Sequence, residues 1–86
     1  MAEPRRLLDR MRRSKADWRL GDLNRLYRGF GFVYDEGSKH RLYKHPLFPE
    51  LYATVTRGSG ALPLGYIVEA IRLIDLLLER GKSGDD

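Results

Sequence analysis

Two histidines stand five residues apart in a run of cations, Lys39-His40-Arg41-Leu42-Tyr43-Lys44-His45, and Arg57 follows further on. A histidine among lysines and arginines holds the parts needed to cleave RNA without a metal. The 2′-OH must lose its proton as it attacks the adjacent phosphate, and the developing phosphorane charge must meet cationic donors. Imidazole changes charge at about pH 6.5, so it can take or give that proton near neutrality. His40 is the candidate acid/base group, and Lys39, Arg41, Lys44 and Arg57 are the cations placed by sequence or strand pairing to contact phosphates. A metal site fits poorly, because residues five apart on a regular strand point to opposite faces and no carboxylate cluster accompanies the pair. No cofactor is expected. A plainer reading stands beside each of these. A lone strand histidine is usually a polar surface residue, and His45, next to Pro46, reads as a loop or turn residue. Lys39, Arg41 and Lys44 would equally keep an exposed strand soluble and unpaired.

Charge distribution adds a second basic zone. The chain has 86 residues and a formal charge of +4. Residues 1–15 carry six Lys or Arg (Arg5, Arg6, Arg10, Arg12, Arg13, Lys15) against Glu3 and Asp9, and the remaining residues balance ten bases against ten acids. Between 37 and 57 the four named cations face only Glu50. An arm this basic gives salt-sensitive attraction to nucleic acid, or is simply a disordered tail. With 42% hydrophobic and 33% charged residues, a chain of this length closes one modest core. It contains no cysteine, which excludes disulfides and thiolate zinc sites and favours a cytoplasmic setting. No apolar run is long enough to span a bilayer or to serve as a leader, so no membrane role is expected.

The elements that must position these residues follow from spacing. Pro4 suits a first helical turn, and Leu7, Leu8 and Met11 form an apolar side among arginines, so residues 5–13 read as a mobile basic helix or arm. Leu20, Leu23, Leu26 and Tyr27 predict a helix over 19–28, entered past Trp18 and stopped by Gly29 or Gly31. Phe30 to Tyr34 and Lys39 to His45 flank the turn-forming Asp35-Glu36-Gly37-Ser38 and read as a hairpin. Leu51 to Thr56 reads as a third strand, ended by Gly58-Ser59-Gly60. Tyr34, Tyr43 and Tyr52 either stack bases or cover the core, with core expected for at least two of them. A last helix begins near Leu64 or Gly65, with Ile67, Val68, Ile71, Leu73, Ile74, Leu77 and Leu78 on its apolar face. The expected fold is α+β, an α-β-β-β-α two-layer arrangement in which two helices cover one face of a three-stranded antiparallel sheet, with a basic N-terminal arm. The expected boundaries are 1–16 for the arm or short helix, 17–80 for the domain and 81–86 for a disordered tail.

Three stretches carry a family resemblance: Gly29-Phe30-Gly31-Phe32, then Gly37-Ser38-Lys39-His40-Arg41-Leu42-Tyr43-Lys44-His45-Pro46, then Leu62-Pro63-Leu64-Gly65. In this order they resemble the HicA toxins, small messenger-RNA-cleaving proteins of toxin–antitoxin systems with a fold similar to the double-stranded-RNA-binding domain. The resemblance implies that His40 is the catalytic residue, that mRNA is the substrate and that a HicB-like antitoxin covers the His40 face. Lys39 stands between the Gly-Ser pair and the histidine, which directly follows that pair in many members. Thr56 and Gly58 stand where many have proline and histidine. The alternatives are a non-catalytic RNA-binding module of the same fold and a protein-interaction domain without nucleic acid.

Overall fold

The computed structural model describes residues 2–85. Three helices and three strands follow one another in the order α1 (Ala2–Arg13), α2 (Leu20–Gly29), β1 (Val33–Glu36), β2 (His40–Lys44), β3 (Tyr52–Thr56) and α3 (Leu64–Asp85). The fold is α+β, and the sheet is antiparallel and open, with strand order β1-β2-β3. No helix among the described residues is long and apolar enough to cross a membrane.

The first helix corrects the expectation of a mobile arm. Leu7, Leu8 and Met11, three and four residues apart along one side, are 2%, 2% and 0% exposed and belong to the central core. On the solvent side, Arg12 grips the Asp75 carboxylate of α3 through two hydrogen bonds of 2.5 and 3.1 Å. Where α1 meets α2 the approach is close: a Cβ on Gly29 would stand 2.8 Å from the Pro4 ring. The six cations of the segment masked a short apolar stripe, which becomes helical because the rest of the chain supplies the surface that buries it.

Helix α2 begins where the Asp22 carboxylate accepts the Arg19 amide at 3.0 Å, and it buries Leu23, Leu26 and Tyr27. It ends at Gly31, whose φ of +93° allows the Phe32 amide to reach the Tyr27 carbonyl at 3.0 Å and the Gly31 amide to reach that of Arg28 at 3.1 Å. That pair of bonds is the Schellman stop, and it needs the left-handed backbone that glycine adopts without a Cβ clash.

The β1–β2 turn is tight. The Gly37 amide donates to the His40 carbonyl at 2.8 Å, leaving Ser38 and Lys39 as the loop. From there the register pairs Tyr34 with Tyr43 and Tyr43 with Ala53, and Arg41 with Val55. Tyr43, Ala53 and Val55 are buried. Tyr43 stacks on Tyr27 of α2 with ring centroids 4.5 Å apart, and Tyr34 leans on Tyr43 at 5.5 Å. Two of the three tyrosines thus pack with the core, while Tyr52 is 58% exposed. Helix α3 buries Ile67, Ala70, Ile71, Leu73 and Ile74, whereas Val68, expected on the same face, is half exposed. Its backbone continues past the expected boundary of the disordered tail and stays helical to Asp85, because a helix already nucleated by packing adds one bond per further residue. Asp86 lies outside the described residues.

If α1 is part of the core, Met11→Ala should cost about 2–5 kcal/mol of unfolding free energy in a urea titration, the usual range for a fully buried methionine. A mobile arm would leave the midpoint unmoved.

Candidate functional site

His40 opens β2 and is exposed, directly across from Thr56 on β3. Because the Arg57 amide donates to the Lys39 carbonyl (2.9 Å) and the His45 amide to that of Leu51 (3.2 Å), the odd-numbered residues of β2 and β3 exchange the ladder bonds. His40 and Thr56 therefore form a non-hydrogen-bonded pair, with Cα atoms about 4.5 Å apart and side chains close together on one face. The same face carries Leu42 opposite Thr54, then Lys44 opposite Tyr52. Lys39 sits in the turn beside His40 and is exposed. Lys44 lies about 13 Å along the strand from His40. Neither lysine forms an ion pair among the described residues.

The two arginines of the expected site do other work. Arg41 alternates to the opposite face, where its guanidinium holds the Glu36 carboxylate at 2.9 and 3.2 Å. It also donates to the Tyr43 hydroxyl at 3.1 Å and to Asn24 Oδ1 at 3.3 Å, and it lies 4.3 Å from the centre of the Tyr34 ring. With its donors taken and its charge matched, it has no free approach to a phosphate beside His40. The Arg41 contact holds the Glu36 carboxyl below the usual carboxylate range. Arg57 braces the turn: Nη1 donates to the Gly37 carbonyl at 2.7 Å and to that of Ser38 at 3.3 Å, while Nε meets Glu36 at 2.6 Å. One acid thus anchors both arginines, and Arg57 clamps the loop that aims His40. Gly37 is required at that loop, since a Cβ there would stand 2.9 Å from the His40 carbonyl oxygen.

Neither Glu36 nor Asn24 stands out in the sequence as part of this arrangement, and Thr56 does so only through the family resemblance and not as the residue opposite His40. The even spacing of strand residues was the available signal for Thr56, once the hairpin register is known. Asn24 had none, because its contact with Tyr43 (2.7 Å from the hydroxyl) spans two distant elements.

His45 is separated from His40 by both position and environment. It lies just past β2, 7% exposed, with its ring edge-on to Phe32 at 5.2 Å and beside Phe48 at 5.5 Å. Its Nδ1 accepts the Leu47 amide at 3.1 Å, which fixes the pocket for a neutral ring. Burial lowers its pKa, with partial opposition from a backbone hydrogen bond at Phe30. The Tyr27 hydroxyl is also buried and finds no partner among the described residues. Among the described residues no cluster of three or more His, Cys, Asp or Glu is placed to hold a metal ion.

The His45 pocket generates a pH dependence. The unfolded chain takes up this proton as pH falls through about 6.5, and the folded chain does so only at lower pH, so below about 6.5 the unfolded state binds more protons and stability declines with falling pH. Urea midpoints measured at pH 8 and at pH 5.5 should differ in wild type, with the lower at pH 5.5, and the difference should shrink in His45→Phe. Compared with protein-family models, characterised proteins and solved structures, the chain matches none.

Proposed function

We propose that this chain acts on RNA as a HicA-like, metal-independent endoribonuclease with His40 as its acid/base group. The observation that carries the proposal is the exposed imidazole of His40, held at the end of a braced turn, with Lys39 beside it and a strand face running on to Lys44 and Tyr52. In a two-layer arrangement of helices against the other face, this one stays open to a polynucleotide.

The chemistry follows from what these groups can do. Neutral His40 accepts the 2′-OH proton as that oxygen attacks the neighbouring phosphorus. Lys39, and the Thr56 hydroxyl opposite, donate to the phosphorane oxygens. The 5′-oxygen leaves with a proton from the imidazolium or from water, and a 2′,3′-cyclic phosphate remains on the upstream fragment. Lys44 meets a phosphate further along the backbone, and the exposed Tyr52 ring offers a base a stacking surface. Arg41 is dropped from the contact set and Arg57 becomes a positioning residue. A HicB-like antitoxin that regulates such a site would cover the His40 face.

The burial of His45 favours a second reading. With one imidazole at the site, the proton for the 5′-oxygen must come back from His40 itself or from water, and an RNA-binding module without cleavage uses the same surface without that requirement.

The purified chain and its His40→Ala variant, incubated with a long single-stranded RNA in EDTA, separate these readings. Cleavage should produce cyclic-phosphate ends and fall by roughly 100-fold or more in the variant, with the circular dichroism spectrum and RNA affinity retained. RNA left intact by both proteins, with binding that weakens as salt rises, would select the module. In either case Lys39→Ala and Lys44→Ala should each reduce the slope of log affinity against log salt by roughly one, whereas Arg41→Ala should act on stability.

A further inference from the structure

The formal charge of +4 lies wholly in residues 1–15, and folding gives that segment two sides. Its apolar side, Leu7, Leu8 and Met11, is buried in the core where α1 packs on α2 and α3. At 3.6 residues per turn, Arg6, Arg10 and Arg13 fall within about 60° of one another on the opposite side, in steps of about 6 Å and then about 4.5 Å along the axis. All three are exposed, and none forms an ion pair among the described residues. Arg10 stands over the Trp18 ring, 5.3 Å from its centroid, and the indole N–H donates to the Ser14 carbonyl at 2.7 Å, so the middle guanidinium of the row has a fixed place. With Arg5 and Lys15 beside the row, five cations face Glu3 and Asp9. The exposed arginines Arg25, Arg72 and Arg80, by contrast, each pair with an acid.

We propose that the Arg6-Arg10-Arg13 stripe binds the sugar–phosphate backbone of an RNA strand, as a contact surface separate from the His40 face. A guanidinium gives two parallel hydrogen bonds to phosphate oxygens and keeps its charge across the accessible pH range. The three lie in a row and do not converge on a point, which suits a chain of phosphates better than one small anion. An anionic membrane fits less well, because a helix that lies on lipid inserts an apolar face, and the apolar face of α1 is inside the protein. Contacts of this kind hold and orient a strand without reading its bases. That the strand is RNA rests on the reading of the His40 face, but the stripe needs no cleavage there.

The test is fluorescence anisotropy of a labelled 2′-O-methyl RNA oligonucleotide, which offers the backbone without a reactive 2′-OH, across a salt series. Arg6→Gln/Arg10→Gln/Arg13→Gln should flatten the slope of log affinity against log salt by about 2, at roughly 0.7 per phosphate of a single strand. Arg6→Gln/Arg13→Gln, which leaves the Trp18 contact in place, should flatten it by about 1.4. Both should keep the circular dichroism spectrum of the wild type, since glutamine is nearly as good a helix former as arginine. Arg25→Gln/Arg72→Gln/Arg80→Gln removes the same net charge and should leave the slope nearly unchanged. Equal flattening by the two triple variants overturns the proposal, because net charge alone would then account for the binding. So does RNA binding that depends on Lys39 and Lys44 and not on the stripe, a result that leaves the His40 reading standing. Dependence on the stripe, with Lys39→Ala/Lys44→Ala silent and cleavable RNA left intact, supports the stripe and removes the His40 reading. Binding to phosphatidylserine vesicles that is lost in the stripe variant, with the RNA slope unmoved, selects the membrane and overturns the proposal.

Discussion

The bond from the Gly37 amide to the His40 carbonyl sets the parity of the sheet. Side chains alternate with a period of two, so closing the turn around Ser38 and Lys39 rather than one residue earlier or later decides every later position. With this closure Tyr43, Ala53 and Val55 turn into the core, and His40, Lys44, Tyr52 and Thr54 turn outward. Lys39, which looks like an insertion ahead of the histidine, is absorbed in the turn. His40 then occupies the first strand position.

Around that turn, electrostatics and packing support one another. Glu36 sits between two guanidiniums, one reaching from the next strand and one from beyond the third. Arg41 ties the acid to Tyr43 and Asn24, and so links the sheet to α2, while Tyr43 stacks on Tyr27 below. The pairs involving Glu36 are partly exposed, and each contributes modestly to stability when taken alone. Their collective effect is geometric: the two arginines hold the platform, while Lys39 and Lys44 stand outside the ion pairs of the described residues.

The same division between local pattern and tertiary context governs α1. Its composition is that of a nucleic-acid-binding tail, yet three apolar side chains at helical spacing and one glycine contact with Pro4 make it a wall of the core. Net charge describes how a chain meets polyanions at a distance, and says nothing about which side of a helix is dry.

Much of this molecule was legible in its residues. The helix expected over 19–28, the existence of a hairpin, the third strand and the start of α3 near Leu64 follow from periodicity and turn chemistry, which act over neighbouring residues and need no distant partner. The turn itself lies at Ser38 and Lys39 and not at Asp35 to Ser38, because Asp35 and Glu36 pair with Leu42 and Arg41 as part of β1. The opposite fates of His40 and His45 also follow from strand alternation. What the linear order left open was decided by groups far apart in the chain. The capture of Arg41 by Glu36 and Asn24, the brace from Arg57 to the Gly37 carbonyl and the burial of Leu7, Leu8 and Met11 all depend on surfaces that exist only once the strands and helices have come together. Local spacing determines which face a side chain takes, whereas the partner waiting on that face is supplied by the rest of the fold.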